Sequence, residues 1–330
     1  MRINVYLLLA FTFMLSSCQA PVKLIEGSGT WTQIEAVDNS KPIKRHEAAF
    51  ARVKDKLVLF GGRRINPVSV YDTQLNQWVN KNTVPIEMHH FQAVVYKSQL
   101  LILGAFTGKY PREKPVPNIY SYDPEEDKWT KGSLIPKERQ RGGAGAVAYK
   151  GNIYLACGIK DGHRGDHKKW LDKYNPQTGE WEILPDAPRP RDHFQAIVAN
   201  DKLYLIGGRT TISKEGPFKN TIKEVDVYDF KANSWSTLDE GIPTPRAGNY
   251  AVLYGDYILV MGGESASQKA AHNEVEALNV KTQEWTTLNP MLRGRHGTGV
   301  ILYKDKFYVA SGSGNRGGGP ELTTMECMSF

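Results

Sequence analysis

Five arginines recur at one place in a repeating pattern. Arg45, Arg141, Arg191, Arg246 and Arg295 each precede the first residue of a short apolar run by twelve positions, and in the remaining repeat Met88 takes that place. Guanidinium groups gathered into a ring donate bidentately to carboxylate, sulfate or phosphate and stay charged at physiological pH. Next to them in the chain come His46, His89, His90, Asp192, His193 and His296, with Phe91, Phe194 and Tyr250 close by. Imidazoles and carboxylates move protons, and aromatic faces beside hydrogen-bond donors suit a sugar ring. The expected ligand contacts are thus Arg45, His46, His89, Arg141, Arg191, Asp192, His193, Arg246, Arg295 and His296. Glu47 and Glu264 are further acid or base candidates in the same neighbourhood. Several like charges around a narrow mouth repel, so such a crown needs carboxylate partners or an anionic guest.

The elements that must position these residues follow from the repeat. Trp78, Trp129, Trp181, Trp235 and Trp285 recur at gaps of 51, 52, 54 and 50, and an Asn or Asp precedes each by six positions: Asp72, Asp123, Asn175, Asp229 and Asn279. Tyr71, Tyr122, Tyr174, Tyr228 and then Leu278 precede the Asx. Upstream lie the apolar runs KLVLFGG, QLLILGA, NIYLACG, KLYLIGG, YILVMGG and KFYVASG, each ending in small residues. Such runs read as strands buried on both faces, and the small residues let a neighbour approach closely. Each period then holds four strands, which is one blade of a propeller.

A period of this length with paired small residues and a Tyr/Trp pair resembles the kelch repeat over nearly the whole chain. The resemblance implies an all-β, six-bladed β-propeller in which the innermost strands line a central channel. It also implies that the crown arginines rim one mouth. The sixth repeat stops at Phe330 after its third strand, while Trp31 lies alone in GTWTQI ahead of the first blade. The N-terminal strand is therefore expected to complete the last blade and remove a free edge. Blades are placed at about 45–82, 88–132, 141–185, 191–238, 246–288 and 295–330 with 29–35.

Long connections after the small pairs of blades two to five point to the same mouth, because insertions on one side of a repeat fold mark the binding side. The connection of blade three holds His163, Asp166, His167 and Trp170, read as solvated loop residues; no metal and no cofactor is expected. Cys157 and Cys327 fall in blades three and six, too far apart for a bridge, and read as small core residues.

Arg2, the apolar stretch Val5–Leu15 and Leu15-Ser16-Ser17-Cys18 resemble a bacterial lipoprotein signal. That resemblance implies a signal peptide over 1–17, acylation of Cys18, a tether over 18–28 and, with Gln19 following, sorting to the outer membrane. A net charge of +7 suits an acidic ligand, while nucleic acid is an unexpected partner for an exported protein.

Two enzyme families share the kelch propeller. The copper centre of galactose oxidase requires a Tyr cross-linked to a Cys, which Cys18, Cys157 and Cys327 are not placed to supply. The exported sialic-acid mutarotases resemble this chain in size and blade count, and their reaction needs an acid/base pair and an Arg for the sugar carboxylate. The leading expectation is a binder of a small anionic or carbohydrate ligand, with a cofactor-independent sugar mutarotase or epimerase as the alternative and a protein-binding scaffold as the third reading.

Overall fold

Turn chemistry at the Asx residues sets the strand register. Asp72 Oδ1 accepts the N–H groups of Gln74 and Leu75 at 2.8 and 3.0 Å, and Asp123, Asn175, Asp229 and Asn279 hold the same turn in the next four repeats. A side-chain acceptor of this kind stabilises a tight reversal. The reversal sets Tyr71 opposite Trp78, Tyr122 opposite Trp129, Tyr174 opposite Trp181 and Tyr228 opposite Trp235. Their ring centroids lie 4.8 to 5.3 Å apart.

The computed structural model describes residues 22–211 and 216–330. Within them, six antiparallel sheets of four strands repeat the order first, second, third, fourth. Blade one comprises Ala48–Val53, Lys56–Gly61, Pro67–Asp72 and Gln77–Thr83. In blade two the innermost strand is only Val94–Tyr96, and the connection after its second strand carries a small hairpin, Phe106–Thr107 with Lys114–Pro115. The innermost strands touch one another in a closed ring, so the sheets form a six-bladed β-propeller. The second strands are buried on both faces, as Leu57, Val58, Leu59 and Phe60 illustrate.

The ring closes on the chain's beginning. Thr30–Ile34 pairs antiparallel with Met325–Ser329, placing Trp31 opposite Met328 as the fourth strand of blade six. Trp31 is buried, and its indole N–H donates to Asn289 O of blade five at 3.0 Å.

The signal segment and Cys18 lie outside the described residues. The part of the 18–28 stretch that is described packs on the propeller: Leu24 is buried against blade five, and Gly27 N–H donates to Thr287 O at 2.9 Å. Apolar side chains at Val22 and Leu24 find a ready surface there, so the docked chain starts well before Gly29. Cys157 and Cys327 are both buried and unpaired. Among the described residues no helix is long and apolar enough to cross a membrane.

Candidate functional site

The crown arginines are not at the mouth. Arg45, Arg141, Arg191, Arg246 and Arg295 are wholly buried within their blades. Arg246 donates to Thr244 O, Val260 O and Gly262 O at 2.7, 3.0 and 2.7 Å and pairs with Glu276. Arg141 with Asp172, Arg191 with Asp226 and Arg295 with Glu326 repeat the arrangement, while Arg45 uses Pro67 O and Ser69. These guanidiniums tie the end of the second strand to the third, and their burial keeps them from a ligand in the mouth. An isolated buried guanidinium is costly, and a third-strand carboxylate accompanies four of the five, Ser69 taking that place beside Arg45. Where the Arg is replaced by Met88, the partner position holds Tyr120, and both pack in one apolar cluster.

The chemistry sits two residues beyond the crown. That position adopts a left-handed backbone in all six blades: Glu47, His90, Gly143, His193, Gly248 and Gly297, with φ between 53° and 64°. The conformation is imposed by a ring of backbone hydrogen bonds around the axis. His90 N–H donates to Glu47 O at 3.0 Å, Gly143 to His90 at 2.9, His193 to Gly143 at 3.2, Gly248 to His193 at 2.5 and Gly297 to Gly248 at 3.3 Å. Ala48 N–H completes it on Gly297 O at 3.0 Å. Glycine is the undemanding residue at such φ, and each other residue costs about 1 kcal/mol or more. Three blades accept that cost, and they present a carboxylate and two imidazoles toward the axis. A side chain at Gly297 would strike the Glu47 backbone nitrogen at 2.6 Å, so blade six cannot carry one, whereas at Gly143 the nearest atom is 3.4 Å away.

Above this ring opens a cavity of about 490 Å³. Glu47, His90 and His46 line it from the crown segment, and Arg63, Arg209 and Glu264 each follow the small pair of their own blade. Long connections supply Tyr110, His163, Phe218 and Gly317. Below the ring the channel is crossed by Gln92, whose side chain bonds Ala146 and Ala196 of blades three and four, and by Gln195, which reaches Thr298 of blade six. The mouth is therefore a bowl with a closed floor.

Charges in the bowl alternate. Arg209 Nη1 lies 2.6 Å from Glu264 Oε1, and Arg63 Nη2 lies 2.8 Å from Glu113 Oε1. His296 sits between Glu47 and Glu264 at 3.7 and 3.3 Å. Burial raises the Glu47 carboxyl, yet the imidazoles of His296, His193 and His46 and the Arg63 charge outweigh it and hold the group at about 2. The same contest leaves Asp192 well below the usual carboxylate range, because His193, His167 and Arg209 surround it. Burial, and then neighbouring cationic groups, push His90 and His193 below their ordinary values.

Of the expected contacts, His46 lines the bowl and His193 its floor. His89, Asp192 and His296 lie one layer beneath it, where they orient their neighbours. His163 and His167, read from sequence as solvated, are folded inward onto His193 and Asp192 at 3.2 and 2.7 Å. The connections of blades two to four do line the mouth, and that of blade six joins them through Gly317 and Gly318. Sequence reasoning missed Arg63 and Arg209. Aligning the residue after each small pair, which reads Arg63, Phe106, Ile159, Arg209, Glu264 and Ser313, would have exposed them.

Blade count, the Tyr/Trp register and closure through the N-terminal strand define a kelch-type propeller with a polar bowl at one mouth. A profile of the Attractin/LZTR1 beta-propeller matches residues 22–264, and the kelch motif itself matches 245–292; the chain belongs to this family. It is 25% identical over 247 residues to kelch-like protein terF of Aspergillus terreus, covering 72% of this chain and 52% of that one. Alpha-scruin of Limulus polyphemus is 26% identical over 59% of this chain and 21% of its own length. Kelch-like protein 36 of Mus musculus is 22% identical over 83% and 45%. The chain thus spans about half or less of the length of these curated relatives. Among solved structures, that of YjhT superposes with a TM-score of 0.72 at 16% identity, covering 86% of this chain and 95% of the other, a likeness of fold.

Proposed function

We propose that the bowl binds a small anionic carbohydrate, a sugar acid, with the ring against Tyr110 and Phe218 and the carboxylate directed to Arg63. The observation that carries this reading is the pairing of those two aromatic walls with an accessible guanidinium in a cavity of about 490 Å³, within the size range of small-molecule sites. Arg209 lies 5.3 Å from the Phe218 ring and fixes that wall. Acylation at Cys18 would hold the propeller at the outer membrane, facing sugars outside the cytoplasm; Cys18→Ser should then move the protein from the membrane to the soluble fraction.

A panel of uronic and nonulosonic acids against their neutral parent sugars tests the reading by thermal shift. Acids should raise the melting temperature of the parent protein, and Arg63→Ala should remove the preference for acid over neutral sugar, at a lower unliganded melting temperature because the buried Glu113 loses its cation. No shift with any acid, or an equal shift in Arg63→Ala and Tyr110→Ala, would exclude it.

Glu47 favours a second reading in which the bound sugar also turns over. An ionised carboxylate in the bowl can take the proton of the anomeric hydroxyl and return it to the ring oxygen, which opens and closes a hemiacetal without a cofactor. Anomer equilibration followed by NMR separates binder from mutarotase: acceleration by catalytic protein, lost in Glu47→Gln, marks the enzyme, and a buffer rate marks the binder.

A further inference from the structure

His90, His163 and His193 come from three different blades and converge at the bowl floor, with one ring nitrogen of each within 4.8 Å of the others. The closest pair, His163 Nε2 and His193 Nε2, is 3.2 Å apart. Two nitrogens bound to one zinc ion at about 2.0–2.1 Å in tetrahedral geometry would be roughly 3.3–3.4 Å apart, so this pair already has a chelating separation.

The opposite ring nitrogens settle which atoms face inward. His193 Nδ1 is hydrogen-bonded to the Asp192 carboxylate, and His163 Nδ1 lies 2.9 Å from Glu113 Oε1. His89 Nε2–H donates to Gly108 O at 3.1 Å, leaving its Nδ1 to accept from His90 Nδ1–H at 2.6 Å. Hydrogen bonds assign the outer proton to Nδ1 on His90 and His193, and the Glu113 carboxylate beside His163 Nδ1 favours it there too, which leaves the three Nε2 lone pairs facing one another. Three converging lone pairs repel unless a cation joins them. Carboxylates behind the ligating imidazoles are the usual outer support of such a cation, fixing tautomer and raising basicity.

The geometry points to a divalent transition-metal site of the zinc class, ligated by Nε2 of His90, His163 and His193 with a remaining position open to the bowl. Imidazole ligands without thiolate suit Zn²⁺ or Co²⁺ over Ca²⁺ or Mg²⁺. The backbone strain at His90 and His193, φ 53° in both, is the cost of aiming them. A small inward rotation of the His90 ring, now 3.4 Å from Glu47 Oε2, completes the set.

The test needs metal alone and no sugar, so it stands apart from the ligand reading. Chelator-stripped full-length protein is titrated with Zn²⁺ by calorimetry and with Co²⁺ by visible absorption. One equivalent should bind, Co²⁺ should give the intense bands of a four- or five-coordinate ion, and the melting temperature should rise with Zn²⁺. His163→Ala, on a connection rather than in a strand, should keep the fold and weaken Zn²⁺ at least about 100-fold, and Glu113→Gln should weaken it about 10- to 100-fold. No saturable binding, or the same affinity in His163→Ala as in the parent protein, would overturn the site.

Discussion

At the residue scale, the informative positions are those where a side chain occupies a backbone conformation that glycine would hold at lower cost. Glu47, His90 and His193 take the left-handed place that Gly143, Gly248 and Gly297 fill in the other blades, and these same three are the groups facing the axis. Titration away from the bowl gives an independent check on how a half-buried carboxylate pair supports the fold. Glu274 is held at about 2, chiefly by its hydrogen bond with His272 at 3.0 Å, against an ordinary value of 4.5. A carboxyl lowered on folding contributes stability that is complete above the unfolded value and disappears as pH falls through the folded one. Between about pH 4.5 and 2 the parent protein should thus lose stability more steeply than Glu274→Gln. Urea unfolding midpoints measured across that window check it, and parallel curves would show that the pair contributes nothing.

At the scale of the element, the Arg of each blade is a staple between the second and third strands. Blade two already shows the apolar alternative, Met88 with Tyr120. Arg246→Met alone leaves the buried carboxylate of Glu276 without its cation and should cost about 3–5 kcal/mol. Adding Glu276→Tyr should recover most of that loss, because the pair is then replaced by apolar groups already compatible with the repeat. Denaturant unfolding of the two singles and the double measures the coupling, and additive losses would show that the carboxylate is not the arginine's obligate partner.

The error in the sequence reading has its cause at this scale. The period, the Asx turns and the Tyr/Trp register are local and repeat five times, so they were legible. Whether Arg45 or Arg191 points to solvent or into its own blade depends on a partner about 24 to 35 residues away, Ser69 or Asp226, and no spacing rule reports that. The bowl was half legible. Glu47, His46 and His193 lie beside the crown in sequence, whereas Arg63 and Arg209 emerge only when the small pairs are aligned, and His163 only when its connection is seen folded over the mouth.

For the whole molecule, two independent closures hold the ring. One is the backbone circuit through Glu47, His90, Gly143, His193, Gly248 and Gly297 at the axis; the other is the outer strand Thr30–Ile34 in blade six. The inner circuit needs all six blades in place, so a gap at the outer edge should be transmitted to the bowl rather than confined to blade six. Trp31→Ala removes a buried indole between blades five and six and should cost about 3–5 kcal/mol, roughly 10 °C in melting temperature. Deleting the chain through Ile34 goes further, because it leaves Met325–Ser329 as an unpaired strand edge. That truncation should both melt lower and self-associate, as measured by calorimetry and light scattering. A peptide spanning 22–35 added in trans should reverse both effects. If instead the truncated ring stays monomeric with an unchanged melting temperature, the axial circuit alone closes the propeller, and the N-terminal strand serves only to lead the chain away from the bowl.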